Sequence, residues 1–487
     1  MEKLFCRRRD AVPVEFVYLF RQQTALTAIP EYNNDVHMST TNISRKEFLK
    51  NSALGLAGIA TMPISNRHTG VGSGDNIPEQ GPARTNGNTY RLQQVRLETG
   101  FEYHEGEVIG TKTDLFSLEI SDGKITSIGP DSTDEQGMDA EGLLMLPSFR
   151  DMHIHLDKTY YGDKWQAIRR GRGGVKGMIS LEQQILPDLL KNSVQKAEKL
   201  IELLQSNGTG FARSHVNIEP TSKLQSLRHL QQALEHKKAG FAAELVAFPQ
   251  HGVYYTDSAP YMREAASSGV DFIGGLDPTS IDGAIEKTMD FTVQLALDHQ
   301  KGIDIHLHES GESGVQTIDY LIDKVLENPS LKRKTYVSHA FCLGQLEAGR
   351  LNAMIQRLAE AEIGIVSTIP FGSLVMPIPA LLKQGVTVMT GNDSIVDHWN
   401  TFGTGSVLQK ANLAAQLYGA SSEFGLSRML KLATAGPIPL DDAGKQQWPK
   451  VGDPADFVLV DASCSAEAVS RIAPVRSLVH QGKVVYA

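Results

Sequence analysis

From Tyr90 onward the chain changes between apolar and polar residues at nearly every step. Tyr90–Glu98 and Leu115–Ile120 carry the two-residue period of a half-buried strand, and the turn Ser121-Asp122-Gly123-Lys124 leads into a third, Ile125–Ile128. Near the C-terminus Asp456–Val460 and Ser477–His480 have the same pattern, and Gln481-Gly482-Lys483 turns into Val484–Tyr486. Neither group has enough strands to bury a face alone. Together they predict a small β-sandwich domain formed from both terminal segments, 89–146 plus 449–487.

Between them the pattern changes. Short apolar runs predict strands at Leu143–Phe149, Gly210–Val216, Ala242–Phe248, Val270–Leu276, Ile303–His308, Thr335–His339, Ile363–Ile369 and Val386–Thr390. Helix-period segments such as Asp188–Gln205, Gly283–His299, Val315–Leu326 and Gln345–Ala361 lie between these runs. Strands alternating with helices imply parallel βαβ units. Eight such units predict an α/β fold, a (β/α)8 TIM barrel over 147–448, with its active site at the C-terminal ends of the strands. A doubly wound open sheet is the competing architecture, but no GxGxxG follows a first strand.

Composition narrows the function. The net charge of −9 argues against a nucleic-acid-binding surface, which normally needs a basic face. No run approaches the ~18 apolar residues of a membrane span. Three cysteines, Cys6, Cys342 and Cys464, form no disulfide framework and have no neighbour at metal-ligand spacing. Any metal must therefore be held by histidine and carboxylate.

Residues 1–37 form an N-terminal extension without clean periodicity. The segment 38–64 contains Ser44-Arg45-Lys46-Glu47-Phe48-Leu49-Lys50 followed by the short apolar run Ala53–Ile64. It resembles a twin-arginine export signal with Lys46 in place of the second arginine. This predicts a periplasmic or exported protein, with a cytoplasmic one as the alternative. Residues 65–88 are rich in Gly, Pro and Asn and read as a linker.

The predicted strand ends collect ionisable groups. Strand one ends at His153 and His155, which share a side of an extended segment because residues i and i+2 do. Strand two offers His215, strand three Gln250, strand four Asp277, strand five His306, His308 and Glu309, strand six His339 and strand eight Asp393. So many such groups at one face of a barrel point to a metal-dependent active site.

The motifs HIHLDK, AFPQHG, GGLDP, IHLHE, SHAF and GNDSIVDHW, in that order, resemble the amidohydrolase superfamily, specifically its cytosine deaminase and N-isopropylammelide amidohydrolase branch. The similarity runs from about Tyr90 to Ala487. It implies one divalent ion, zinc or iron, on His153, His155, His306 and Asp393. His306 and His308 have the same strand parity; the resemblance selects His306, because the family places its glutamate three residues after the ligand. It further implies Glu309 as acid/base, Asp393 as proton acceptor and His339 as stabiliser of the tetrahedral centre. Relatives with two metals bridge them through a lysine on strand three or four; none occurs in AELVAFPQ or VDFIGGLDP, which favours one ion.

The implied partner is a small molecule, and a homo-oligomer is compatible with the sequence. Gln250 matches a glutamine that recognises a cyclic amide edge, and an amide carries both donor and acceptor. Trp399 matches a pocket tryptophan, with packing as an equal role. His215 is open between substrate contact and structure, Asp277 braces the rim, and Asp157 and Lys158 could pair near the mouth. Ser394 stands where cytosine deaminases carry a second aspartate, which puts cytosine itself in doubt. The implied function is hydrolysis of a C–N bond in a nitrogen heterocycle. The alternatives are hydrolysis of a different amide or N-substituted amine, and a non-catalytic binding barrel.

Overall fold

The computed structural model describes residues 89–132, 137–168, 173–369 and 374–487. The readings of 1–37, 38–64 and 65–88 lie outside the described residues. No helix among the described residues is long and apolar enough to cross a membrane.

The described chain begins with a long antiparallel pair, β1 (Thr89–His104) and β2 (Glu107–Ser121), followed by β3 (Lys124–Pro130), the two-residue β4 (Met138–Asp139) and β5 (Leu144–Pro147). The β1–β2 register slips between Leu92 and Val95, Glu98 and Gly100, and Glu102 and Tyr103. Such a bulge resets which face a side chain takes. This is why the alternation that predicts β1 stops at Glu98 while the strand continues.

Eight parallel strands then follow in sequence order around one sheet. They are β6 (Phe149–Ile154), β7 (Thr209–Asn217), β8 (Ala242–Phe248), β9 (Phe272–Leu276), β10 (Gly302–Leu307), β11 (Thr335–His339), β12 (Gly364–Ser367) and β13 (Val388–Thr390). The ring closes just beyond β13. Asp393 N donates to His153 O at 2.7 Å, and His155 N donates to Asp393 O at 3.3 Å. Gly391 permits this approach: a Cβ there would lie 2.4 Å from the backbone N and O of His153.

The run Leu143–Phe149, predicted as the barrel's first strand, is divided. Its first part is β5, in the terminal sheet, and the barrel strand β6 starts at Phe149. The last strands, β14 (Phe457–Val460), β15 (Val475–His480) and β16 (Lys483–Tyr486), complete the terminal sheet in the order β16-β15-β14-β5-β1-β2-β3. Leu144 and Leu146 of β5, with Val458 and Val460 of β14, pack into the barrel core. Met145, Phe457 and Leu459 face the other way, into the terminal sheet's own core. With both faces covered, β5 shows no polar alternation, and nothing in the run marks the change of sheet. Each of the four barrel-facing side chains contributes about 1.5–3 kcal/mol of burial to fastening the two parts.

Candidate active site

At the C-terminal mouth of the barrel, four donor atoms converge. His153, His155, His306 and Asp393 each offer one ligand atom, all within 4.8 Å of one another. Asp393 Oδ1 lies 3.5 Å from His153 Nε2 and 3.4 Å from His155 Nε2, and His306 Nε2 faces His155 Nε2 at 3.3 Å.

The opposite ring nitrogens are already engaged. His153 Nδ1 meets Ser338 Oγ at 2.8 Å, and that hydroxyl donates to Asp304 Oδ1 at 2.7 Å. His155 Nδ1 donates to the carbonyl of His215 at 3.1 Å. These partners turn both Nε2 atoms toward the cluster. The His306 ring is set differently, stacked on Phe248 with centroids 4.0 Å apart.

Three imidazoles and one carboxylate in this arrangement suit zinc or iron, and His153 Nε2 is buried without a hydrogen-bond partner. The residues thus fit a divalent ion. Burial and the nearby Lys158 push the His155 ring down to about 3, and burial with the neighbouring rings holds His306 well below the usual histidine range. Neutral rings are what ligation requires. Burial opposes the charge on Asp393, but the adjacent His153 and His155 rings outweigh it and hold the carboxyl well below its ordinary range.

The loops after β9 and β10 and the ends of β7 and β11 supply the other groups. Asp277 accepts from His308 N at 2.6 Å, Glu309 N at 3.2 Å and His308 Nδ1 at 2.9 Å. The expected brace is therefore there, and it ties His308 to Asp277 while His306 joins the donor cluster. Glu309 Oε1 accepts from Ser280 N at 2.7 Å; its Oε2 is buried without a partner. The His339 ring lies 4.9 Å from that of His153, both its nitrogens are unpartnered, and its backbone is left-handed at φ 69°. A non-glycine residue held there is strained, a feature that clusters at functional sites. His215 is fully enclosed, its ring 4.3 Å from His153 and 4.5 Å from His306.

A polar wall stands beside the donors. Lys158 is only 1% exposed, and its Nζ lies between the Phe248 and Trp399 rings, 5.8 and 5.7 Å from their centroids. It donates to Gln250 Oε1 and, at 3.1 Å, to Asn217 Oδ1, and lies 3.9 Å from Glu182 Oε1. The sequence-based pairing of Lys158 with Asp157 is corrected here. Asp157 accepts instead from Asn217 N at 2.9 Å, while Lys158 runs inward, away from a solvated mouth.

Glu182 was missed by sequence reasoning. It is fully buried and gathers Asn217 Nδ2, His398 Nε2 at 2.9 Å and Trp399 Nε1 at 2.7 Å. Burial opposes its charge; Lys158 and His398 outweigh burial and hold it well below the usual carboxylate range. A signal existed in the sequence. Ile179, Glu182 and Leu186, the buried residues of the helix Gly174–Leu189, share one face, so a carboxylate occupies an apolar-stripe position. Trp399 thus both bonds Glu182 and packs with Phe248, Leu276 and Ile281. Ser394 is buried, and its carbonyl accepts from Asn400 Nδ2 at 3.0 Å.

Comparisons with known proteins agree with this architecture. Residues 279–486 match a family model described as the amidohydrolase family. The chain is 47% identical over 453 residues to the uncharacterized protein YahJ of Escherichia coli (strain K12), covering 91% of this chain and 98% of that one. It is similar in structure to the N-isopropylammelide isopropylaminohydrolase of Burkholderia multivorans, with TM-score 0.71, 28% identity and coverage of 82% and 98%. The 5-methylcytosine deaminase of Klebsiella pneumoniae liganded with 5-fluorocytosine shares the fold at TM-score 0.68, with 24% identity and coverage of 81% and 97%.

Proposed function

The chain belongs to the amidohydrolase superfamily, in its cytosine deaminase-like branch, and from that premise we propose that it hydrolyses a C–N bond of a nitrogen heterocycle or related cyclic amide. One observation carries the reading: four donor atoms of the right chemistry converge within 4.8 Å at the catalytic mouth of a closed barrel. His153, His155, His306 and Asp393 would hold one zinc or iron ion. Such an ion makes water nucleophilic near neutral pH.

The remaining work falls to side chains. Asp393 accepts a proton from the attacking water and steers its oxygen toward the ring carbon. Glu309, whose Oε2 has no partner, donates a proton to the ring nitrogen beside that carbon and makes the carbon more electrophilic. A ring nitrogen of His339 donates to the oxygen of the tetrahedral centre. The exocyclic C–N bond then breaks: Asp393 passes the water's proton to the nitrogen, which leaves as ammonia or a small amine, while the hydroxyl proton returns to Glu309 and the carbon becomes a carbonyl. Gln250, Ser394 and Trp399 line the binding side, with His215 beneath the donors. Ser394 lacks the negative acceptor that an aspartate would offer an amino group, which steers the choice away from cytosine.

The test is ammonia and amine release by zinc- or iron-loaded protein across cytosine, isocytosine, creatinine and amino-triazines. Release from at least one ring, abolished by chelation, is expected; silence on every ring sinks the proposal. Export through the segment 38–64 belongs to the same proposal, and a reporter fused behind that segment should appear outside the cytoplasm.

A further inference from the structure

Hydrogen-bond polarity around the wall is not free to vary. Glu182, held ionised, can only accept, so the Asn217 amide must present Nδ2 to it. Lys158 can only donate, so the same amide must present Oδ1 to Lys158, and Gln250 must likewise present Oε1. One acceptor-only group and one donor-only group therefore fix both amides. Gln250 cannot flip without aiming an N–H at a buried ammonium. Its Nε2 is the free end, with no hydrogen-bond partner among the described residues. Gln250 lies just beyond β8, two residues after Phe248, whose ring stacks on His306. Lys158 Nζ, which holds Gln250 Oε1, lies 5.8 Å from the centroid of that Phe248 ring, so the clamped amide stands beside the donor cluster.

We propose that Lys158 is a specificity-determining positioning residue: by holding Gln250 Oε1, it turns the amide into a donor and restricts the site to rings bearing a carbonyl or oxyanion at that edge. A glutamine free to flip would take a ring amino group as readily as a ring oxygen. A clamped one offers only N–H, so an amino group there meets donor against donor and leaves a buried polar group unpaired. The nearby ammonium adds to the preference, because it favours an anionic oxygen over a neutral one.

The inference rests on the reading of this pocket as one that takes a nitrogen ring, and the two can fail separately. Failure of that reading shows as no ammonia or amine release from any ring. The specificity claim is read by binding alone. Isothermal titration on metal-loaded protein, at a pH where the triamine is uncharged, would compare barbituric acid with 2,4,6-triaminopyrimidine. These rings carry oxygen or amino groups at all three positions, so the result does not depend on which carbon is attacked.

The expected result is a preference for barbituric acid of roughly tenfold or more, the range of one charge-assisted hydrogen bond. The preference should collapse in Lys158→Met and in Gln250→Glu, which removes the donor yet keeps Lys158 paired. Equal or tighter binding of the triamine, no binding of barbituric acid, or an unchanged preference in whichever variant folds would overturn the proposal. Should neither variant fold, the wild-type preference decides.

Discussion

The donor cluster and the polar wall sit side by side and solve opposite electrostatic problems. The cluster keeps its imidazoles neutral: burial lowers His155 and His306, leaving lone pairs for a cation. The wall keeps its charges, because Lys158, Glu182 and His251 are enclosed together and compensate one another. The cluster therefore loses less with one outer hydrogen-bond partner than with a ligand, whereas the wall depends on every partner. Burial without a counter-charge prepares a metal site; burial with one prepares a rigid template for hydrogen bonding.

The comparison breaks most sharply at His306. His306→Ala should lose metal affinity by more than roughly 100-fold, beyond the cost of losing an outer hydrogen-bond partner. His308→Ala, which loses only its tie to Asp277, should keep the metal; elemental analysis of both proteins decides. Glu309→Gln should retain full metal content while kcat falls about 10²–10⁴-fold, the range of general acid–base help. Equal loss of metal would place Glu309 among the ligands instead.

On the wall, Glu182→Ala strands a buried ammonium and should cost about 3–5 kcal/mol in a denaturant titration. The double change Lys158→Met with Glu182→Leu should recover much of that, since removing both charges leaves neither unpaired. The smallest effect concerns pH. Burial opposes the charge on His251, but Glu182 and Glu219 outweigh it and raise the ring to about 9. The folded ring thus holds its proton more tightly than the unfolded one. Its contribution is whole below the unfolded value of about 6.5 and is lost as pH rises to about 9. Urea midpoints should fall across that window in the native protein and more shallowly in His251→Asn.

What the sequence disclosed follows the same division. The donors sit at strand ends, and strands such as Ala242–Phe248 and Thr335–His339 were predicted residue for residue, although Glu244 and Ser338 interrupt their apolar character. The wall comes from a loop, a helix and two barrel strand ends, so no local period links Lys158 to Glu182 or Trp399. Their relation is purely tertiary. The first barrel strand was misplaced for a related reason: β6 carries Arg150, Asp151 and His153 and reads as polar, while β5 before it is buried on both faces. The assignment of His306 over His308 needed family resemblance, since parity alone treats them alike; in the fold His306 stands among the four donors and His308 bonds Asp277.

The seam at Asp393 has a consequence for how the protein matures. The hydrogen bond from Asn392 N to Asp151 Oδ1, 3.1 Å long, joins groups 241 residues apart along the chain. Contacts that distant form late, because the chain between them must first be ordered. Until the final stave docks, the fourth donor is absent and the cluster lacks its own carboxylate. A collapsed intermediate with seven staves in place would look nearly native by secondary structure and yet be chemically silent. Recovery of turnover during refolding would thus time the closing of the ring rather than the collapse of the chain.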